Sequence, residues 1–192
     1  MRLPLSSMLC CMIGLSSLAS GQEEMTVARF KQIEAKQGDA TPLIQQLARV
    51  PIWKKAVHSI SMKYQDGRSF KDECSVTTKT VEGRYIVYTA ECQYHGPPVS
   101  SILVFDEKAQ AYQNWGLTGD TPTHSTIVYD FEKGVLASTA SYQPGFVEIS
   151  VQTFSNEEAS AHTLVYRDGV LFLTRDSKTR PITKARRDDN AK

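Results

Sequence analysis

Few residues of this chain stand at the spacings that catalysis or metal binding requires. The histidines, His58, His95, His124 and His162, are too far apart for two of them to occupy i, i+2 or i, i+4 on one element. A Gly-x-Ser-x-Gly nucleophile motif and a glycine-rich phosphate loop are both absent. The sequence therefore predicts no catalytic residue, no cofactor and no local metal motif, although histidines on separate strands can still meet in a fold.

The N-terminal segment decides which cysteines belong to the folded domain. A charged start is followed by an apolar run over residues 8–18 and by small residues, which is typical of a secretory signal peptide. The run is shorter than the roughly 20 apolar residues that span a bilayer, and an N-terminal membrane anchor is the alternative. We expect cleavage after Ala19 or Gly21, a secreted or periplasmic protein, and no integral membrane segment after removal of residues 1–21.

Cleavage removes Cys10 and Cys11 and leaves Cys74 with Cys92. In an oxidising compartment such a pair is expected to form a disulfide, and two free buried thiols are the alternative. A catalytic dithiol usually has its cysteines close together at the start of a helix. This pair has neither feature, so we predict a bond that stabilises the fold.

The same pair predicts the register of one hairpin, whose turn contains Glu82-Gly83. A two-residue turn would place Cys74 and Cys92 on opposite faces, whereas a three-residue loop with a glycine bulge places them on one face. We predict the second register, with the cysteines directly opposite each other. Their shared face is the more apolar one and is predicted to point inward. On the strand of Cys74 this face also carries Phe70, Asp72, Val76 and Thr78.

Asp72 is therefore predicted to lie inside the domain. A buried carboxylate must be paired or protonated, and Arg84 or Tyr94 is the expected partner. A structural role is the favoured interpretation, because many perturbed carboxylates are structural. The alternative is an enzyme in which Asp72 and a histidine act at the mouth of the fold.

The elements that position these residues change character at Pro51. Residues 22–51 have helical spacing and predict one or two short helices, whereas the period beyond Pro51 is two. About ten short strands follow, divided by turn residues. We predict a mainly β fold over residues 52–176, an antiparallel up-and-down meander that closes as a barrel or half-barrel because closure removes exposed edges. A β-sandwich is the alternative. The last strand is predicted to end at Thr174, and residues 177–192 to form a flexible charged tail.

The chain carries 22 basic and 21 acidic residues, which is nearly balanced. A balanced charge provides no broad field for a polyanion, so no nucleic-acid partner is expected.

Aromatic residues on the strands suggest a binding function. Some must point into a barrel, where they either fill the core or line an apolar cavity with a few polar groups. We predict a small, mostly apolar ligand, with Trp115 fluorescence responding to it. An envelope protein-interaction module with a filled core is a further alternative. The predicted cavity residues are Tyr88, Tyr94, Phe105, Trp115, Tyr129 and Asp72.

Three short stretches carry a resemblance to a known family. They read Gly83-Arg84-Tyr85-Ile86-Val87, then Leu103-Val104-Phe105-Asp106, then Tyr112-Gln113-Asn114-Trp115. This pattern is similar to that of calycin-like bacterial secreted domains of unknown function, over roughly residues 52–175. The resemblance implies a lipocalin-like barrel and brings no activity with it. The cysteine pair and the helical start are not part of the pattern.

Overall fold

A computed structural model of the chain describes residues 25–38, 42–94, 98–118, 121–130 and 132–182. The predicted signal peptide, residues 1–21, lies outside the described residues, as do residues 183–192 of the predicted tail. Among the described helices, none has the length and apolar character that crossing a membrane requires.

The described part of the chain contains two short helices, both before the strands. Helix α1, Val27–Ala35, begins at Thr26, whose side chain accepts a hydrogen bond from the backbone N–H of Arg29 at 3.1 Å. Its buried residues, Phe30 and Ile33, are three positions apart and so share one face. Helix α2 is a single turn, Gln45–Ala48.

Within the described residues ten strands follow, each antiparallel to the next, and β10 pairs with β1. The predicted antiparallel meander is therefore confirmed, and it closes as a complete barrel rather than as a half-barrel or a sandwich. The strands are β1 Lys55–Tyr64, β2 Ser69–Val81, β3 Tyr85–Cys92, β4 Val99–Asp106, β5 Ala111–Thr118, β6 Thr121–Asp130, β7 Val135–Gln143, β8 Phe146–Phe154, β9 Ala159–Arg167 and β10 Val170–Pro181.

The last strand is longer than the sequence predicted. We expected it to end at Thr174 and a flexible tail to begin at residue 177, but β10 continues to Pro181. Ser177 and Thr179 pair with residues of β1 and point into the barrel. The stretch looked like a tail because its residues are polar. It is a strand because both of its edges are paired and its inward face needs no apolar side chains.

The hairpin of β2 and β3 has the predicted register. Cys74 lies directly opposite Cys92, and Val81 lies opposite Tyr85 across a three-residue loop that begins at Glu82. The Cys74–Cys92 disulfide is formed, with a Cα–Cα distance of 3.9 Å. Cys74 is 1% exposed, so the shared face points inward as predicted.

Helix α1 covers the outer face of β2 to β5. Lys79 holds the end of this helix, because its Nζ donates hydrogen bonds to the carbonyl oxygens of Glu34 and Lys36. The apolar side chains packed between helix and sheet form the outer cluster: Phe30, Ile33, Val81, Tyr85, Val87, Ile102, Val104 and Leu117.

Helix α2 closes one end of the barrel, the end at which β3 begins. The Tyr112 hydroxyl donates a hydrogen bond to the carbonyl oxygen of Gln46 at 2.6 Å and so ties the helix to β5. Leu47 of this helix and Val50 after it pack on inward side chains of the strands. Together they form the inner cluster: Leu47, Val50, Ile86, Leu103, Phe105, Tyr112, Ile127 and Leu136.

We predict that replacing Cys74 and Cys92 by serine lowers the free energy of unfolding by about 3 kcal/mol, because the bond closes a loop with a sequence separation of 18. Urea denaturation of the full chain measures the loss, with Cys10→Ser and Cys11→Ser as the background. An unchanged unfolding midpoint, or two titratable thiols from this pair in the unfolded, unreduced chain, contradicts the prediction.

Candidate functional site

The interior of the barrel, here called the lumen, is lined by alternate residues of every strand. Strand register identifies them: Arg175 lies opposite Thr163 of β9, which lies opposite Ser150 of β8. On its other side Arg175 lies opposite the buried Met62 of β1. Because directly opposed residues share a face, Arg175 points into the lumen with these neighbours.

The lumen has two unlike walls. The apolar wall is the inner cluster, carried by β3 to β7 under α2. The polar wall is carried by β1 and by β8 to β10. Its polar inward residues are His58, Glu148, Ser150, Gln152, Thr163, Arg175, Ser177 and Thr179. The same strands also carry a small buried apolar cluster of Met62, Val165 and Leu173.

An ion pair lies on the polar wall. The Arg175 guanidinium donates a hydrogen bond to the Glu148 carboxylate, and the two side chains are 31% and 16% exposed. Glu148 stands opposite Val165, which is buried. Charges withdrawn from bulk water are costly unless they are paired, so Arg175 and Glu148 compensate each other inside the barrel.

A neutral histidine lies near this pair. His58 is opposite Thr179, and its Nδ1 lies 2.8 Å from the Thr179 hydroxyl oxygen. Burial, reinforced by the positive charge of Arg175, lowers the pKa of His58 to about 4. The imidazole is therefore uncharged near neutral pH and offers hydrogen bonds without adding charge to the lumen.

The polar wall is packed less closely than the apolar wall. Ile86 and Tyr112 of the apolar wall are fully buried, as expected for a close-packed interior. The inward residues of the polar wall are mostly half-buried although they point into a closed barrel. Solvent therefore reaches them from inside, and the lumen is open along this wall. The half-buried inward residues of this wall include His58, Glu148, Ser150, Gln152, Arg175, Ser177 and Thr179.

The predicted cavity residues fall into two groups, and the first lies inside. Phe105 belongs to the inner cluster, and Tyr88 and Tyr129 pack against it. Burial raises the pKa of Tyr88, so its hydroxyl stays protonated. Asp72 also points inward at 6% exposure, and its carboxylate accepts a hydrogen bond from the backbone N–H of Glu73 at 2.8 Å.

The second group is Trp115 and Tyr94, and for Trp115 the structure corrects the prediction. Trp115 is opposite Ile102 on the outward face of β5, where it stacks on His124 with ring centroids 4.0 Å apart. It packs against the outer cluster, so its fluorescence is not a direct report on the lumen. Tyr94 follows β3 and is 72% exposed, in edge contact with Phe70, and it lines a depression of about 840 Å³ together with Asp72.

Of the two predicted partners of Asp72, Arg84 is wrong. Arg84 lies over the ring of Tyr85, 4.9 Å from its centroid, at the other end of the hairpin from Asp72. Tyr94 contacts Phe70, and its pairing with Asp72 stays a prediction.

Sequence reasoning missed Arg175, Glu148 and His58 as a group. The signal is present in β8, where Val147, Ile149 and Val151 alternate with polar residues. The usual rule places the apolar set inside, but these three side chains are 43%, 42% and 47% exposed. Only the register of the closed barrel shows that the polar set faces the lumen.

The depression of about 840 Å³ is lined by residues of β1, β2, β8, β9 and β10. Its lining includes outward residues such as Lys71, Glu73 and His162. It also includes Ile60, Asp72, Ala161 and Ser177, which share the inward face of their strands.

Two solved structures share this fold. One, from Nostoc punctiforme, is a protein of unknown function of the DUF3598 family, with a TM-score of 0.52 and 9% identity over 73% of this chain. This chain spans half of that protein. The other is an S-type phycobiliprotein lyase from Guillardia theta, with a TM-score of 0.52 and 11% identity over 81% of this chain and 99% of the lyase. The likeness shows a calycin-like barrel and agrees with the resemblance seen in the sequence. No protein-family model and no curated protein matches the chain.

We predict that the free energy of unfolding depends on pH through the protonation of His58. Its folded pKa is below the unfolded value of 6.5, so its contribution is complete above pH 6.5 and is lost as the pH falls toward about 4. The loss amounts to at most ~3 kcal/mol. Urea unfolding of the wild type and of His58→Gln between pH 7 and pH 4 measures it by difference. Parallel curves for the two proteins contradict the prediction.

Proposed function

We propose that the protein binds a small amphipathic molecule in its lumen. The observation that carries this proposal is the Arg175–Glu148 ion pair, half-buried inside the barrel and facing an apolar wall. A cavity with an apolar lining and a few convergent polar groups is the usual form of a small-molecule site.

A purely structural role explains the ion pair poorly. Replacing a buried ion pair by well-packed apolar residues is often neutral or stabilising, and apolar side chains on Arg175 and Glu148 would fill the lumen. The pair instead offers a ligand both hydrogen-bond donors and hydrogen-bond acceptors. Arg175 can donate paired hydrogen bonds to a carboxylate, and Glu148 can accept hydrogen bonds from N–H groups.

The opposite wall suits the apolar body of the same ligand. Tyr88 and Tyr129 pack at the inner cluster, where their rings offer flat apolar surface. The ligand class that fits both walls has an extended apolar or conjugated body, at least one carboxylate and N–H donors.

A linear tetrapyrrole meets this description and is the first probe to use. The printed name of the Guillardia theta neighbour, a phycobiliprotein lyase, supports the choice because phycobiliproteins carry such pigments. The Cys74–Cys92 bond further supports a location outside the cytoplasm, where disulfides persist.

The test is a titration of the full chain with biliverdin and with its dimethyl ester, followed by absorbance. We expect the wild type to bind the free acid more tightly than the ester, because only the acid can pair with Arg175. Arg175→Met is expected to lose roughly tenfold in affinity for the acid, the size of one lost charge-assisted hydrogen bond. The same variant is expected to bind acid and ester equally.

Arg180→Met is the matched control, because Arg180 lies on the same strand but is exposed and pairs with Glu158. Its affinity for the acid is expected to equal that of the wild type, and far-UV circular dichroism checks that each variant is folded. Equal losses in Arg175→Met and Arg180→Met, or no binding of either compound by the wild type, contradict the proposal.

A further inference from the structure

Three groups that zinc favours as ligands meet at the end of the β2–β3 pairing. Asp72 and Cys74 are two positions apart on β2 and so share its inward face, and Cys92 lies directly opposite Cys74. One carboxylate oxygen and the two sulfur atoms all lie within 4.8 Å of one another. Asp72 and Cys74 are buried, at 6% and 1% exposure.

The disulfide keeps these groups from acting as a metal site, since the thiolate is the metal-binding form of cysteine. We propose that the reduced protein binds one Zn²⁺ through the sulfurs of Cys74 and Cys92 and the carboxylate of Asp72. Three protein ligands and one water complete the tetrahedral shell that zinc adopts. This proposal is independent of the ligand in the lumen.

A phosphine or a dithiol can reduce the Cys74–Cys92 disulfide. The reductant supplies two electrons, the S–S bond breaks, and two protons complete the two thiols. A phosphine leaves as its oxide with oxygen from water, and a dithiol leaves as its own disulfide. Zinc binding then releases both thiol protons and forms two Zn–S bonds.

The geometry allows this exchange without moving the strands. Each sulfur is carried by a single Cβ, so rotation about the Cα–Cβ bond can separate the two sulfurs while Cys74 stays opposite Cys92. The metal would then cross-link β2 and β3 at the position where the disulfide does. The redox state thus determines whether a covalent bond or a metal ion closes this part of the barrel.

The experiment uses the full chain with Cys10→Ser and Cys11→Ser, reduced by a phosphine without oxygen and titrated with Co²⁺ and then Zn²⁺. We expect one Co²⁺ per chain, with thiolate-to-cobalt charge-transfer absorption in the near-ultraviolet and tetrahedral bands in the visible. One equivalent of Zn²⁺ should displace the cobalt, and native mass spectrometry should show the bound zinc. The oxidised chain should show neither signal.

Two variants distinguish a zinc site that includes Asp72 from zinc binding by the two thiols alone. Asp72→Asn is expected to lower zinc affinity at least about tenfold. Glu73→Gln is the matched control, because Glu73 is the next residue, is exposed and points away from the cysteines. Its zinc affinity is expected to match the background, with Asp72→Ser as a second variant if Asp72→Asn is unfolded by circular dichroism.

Three results would overturn the proposal. The first is the absence of thiolate-to-cobalt absorption in the reduced, folded chain. The second is equal zinc affinity in the Asp72 variants and Glu73→Gln. The third is an affinity in guanidinium that equals the native affinity, because the thiols would then bind zinc without the fold.

Discussion

Pairing of the first and last strands is the constraint on which the rest of this structure depends. β1 and β10 are joined from Ala56–Pro181 to Tyr64–Leu173. Without this ladder both strands would have an exposed edge, open to pairing with other chains. With it, every strand has two neighbours. Closure also assigns each side chain to the inside or the outside, because a slip of one residue would exchange the two faces of a strand.

The apolar side chains are distributed unequally around the barrel, and the two helices pack where these side chains are most numerous. The strands β3 to β5 are apolar on both faces, since α1 covers the outside and the inner cluster fills the inside. On β8 three apolar residues, Val147, Ile149 and Val151, point outward, whereas Phe146 and Phe154 at its two ends point inward. The inner cluster thus fills one side of the lumen, whereas the other side carries polar groups beside the small apolar cluster of Met62, Val165 and Leu173. The open polar wall that holds Arg175 and Glu148 follows from this uneven distribution.

Much of the fold is predictable from the sequence because the turn residues and the period of two mark the strands. The cysteine pair adds one exact register, and through it the inward face of β2 that contains Asp72. Prediction failed where the rule of apolar residues inside does not hold. Trp115 was placed inside because an aromatic residue on a strand normally faces the core, whereas α1 provides a second core outside the sheet. The C-terminal part of β10 looked like a tail because its inward residues, Ser177 and Thr179, line an open lumen.

The lumen is open to solvent along the polar wall, and cysteine accessibility tests this openness most directly. Ser150 points inward and is half-buried, and Val151 next to it points outward and is 47% exposed. Ser150→Cys and Val151→Cys are made in the full chain with Cys10→Ser and Cys11→Ser, and their reaction with iodoacetamide is timed in the folded protein. An open lumen predicts that Ser150→Cys reacts while the barrel stays folded, at a rate within about a factor of ten of Val151→Cys, since access and thiolate fraction govern the rate. Reaction of Ser150→Cys only after unfolding would show that the two walls are packed together and would contradict the account.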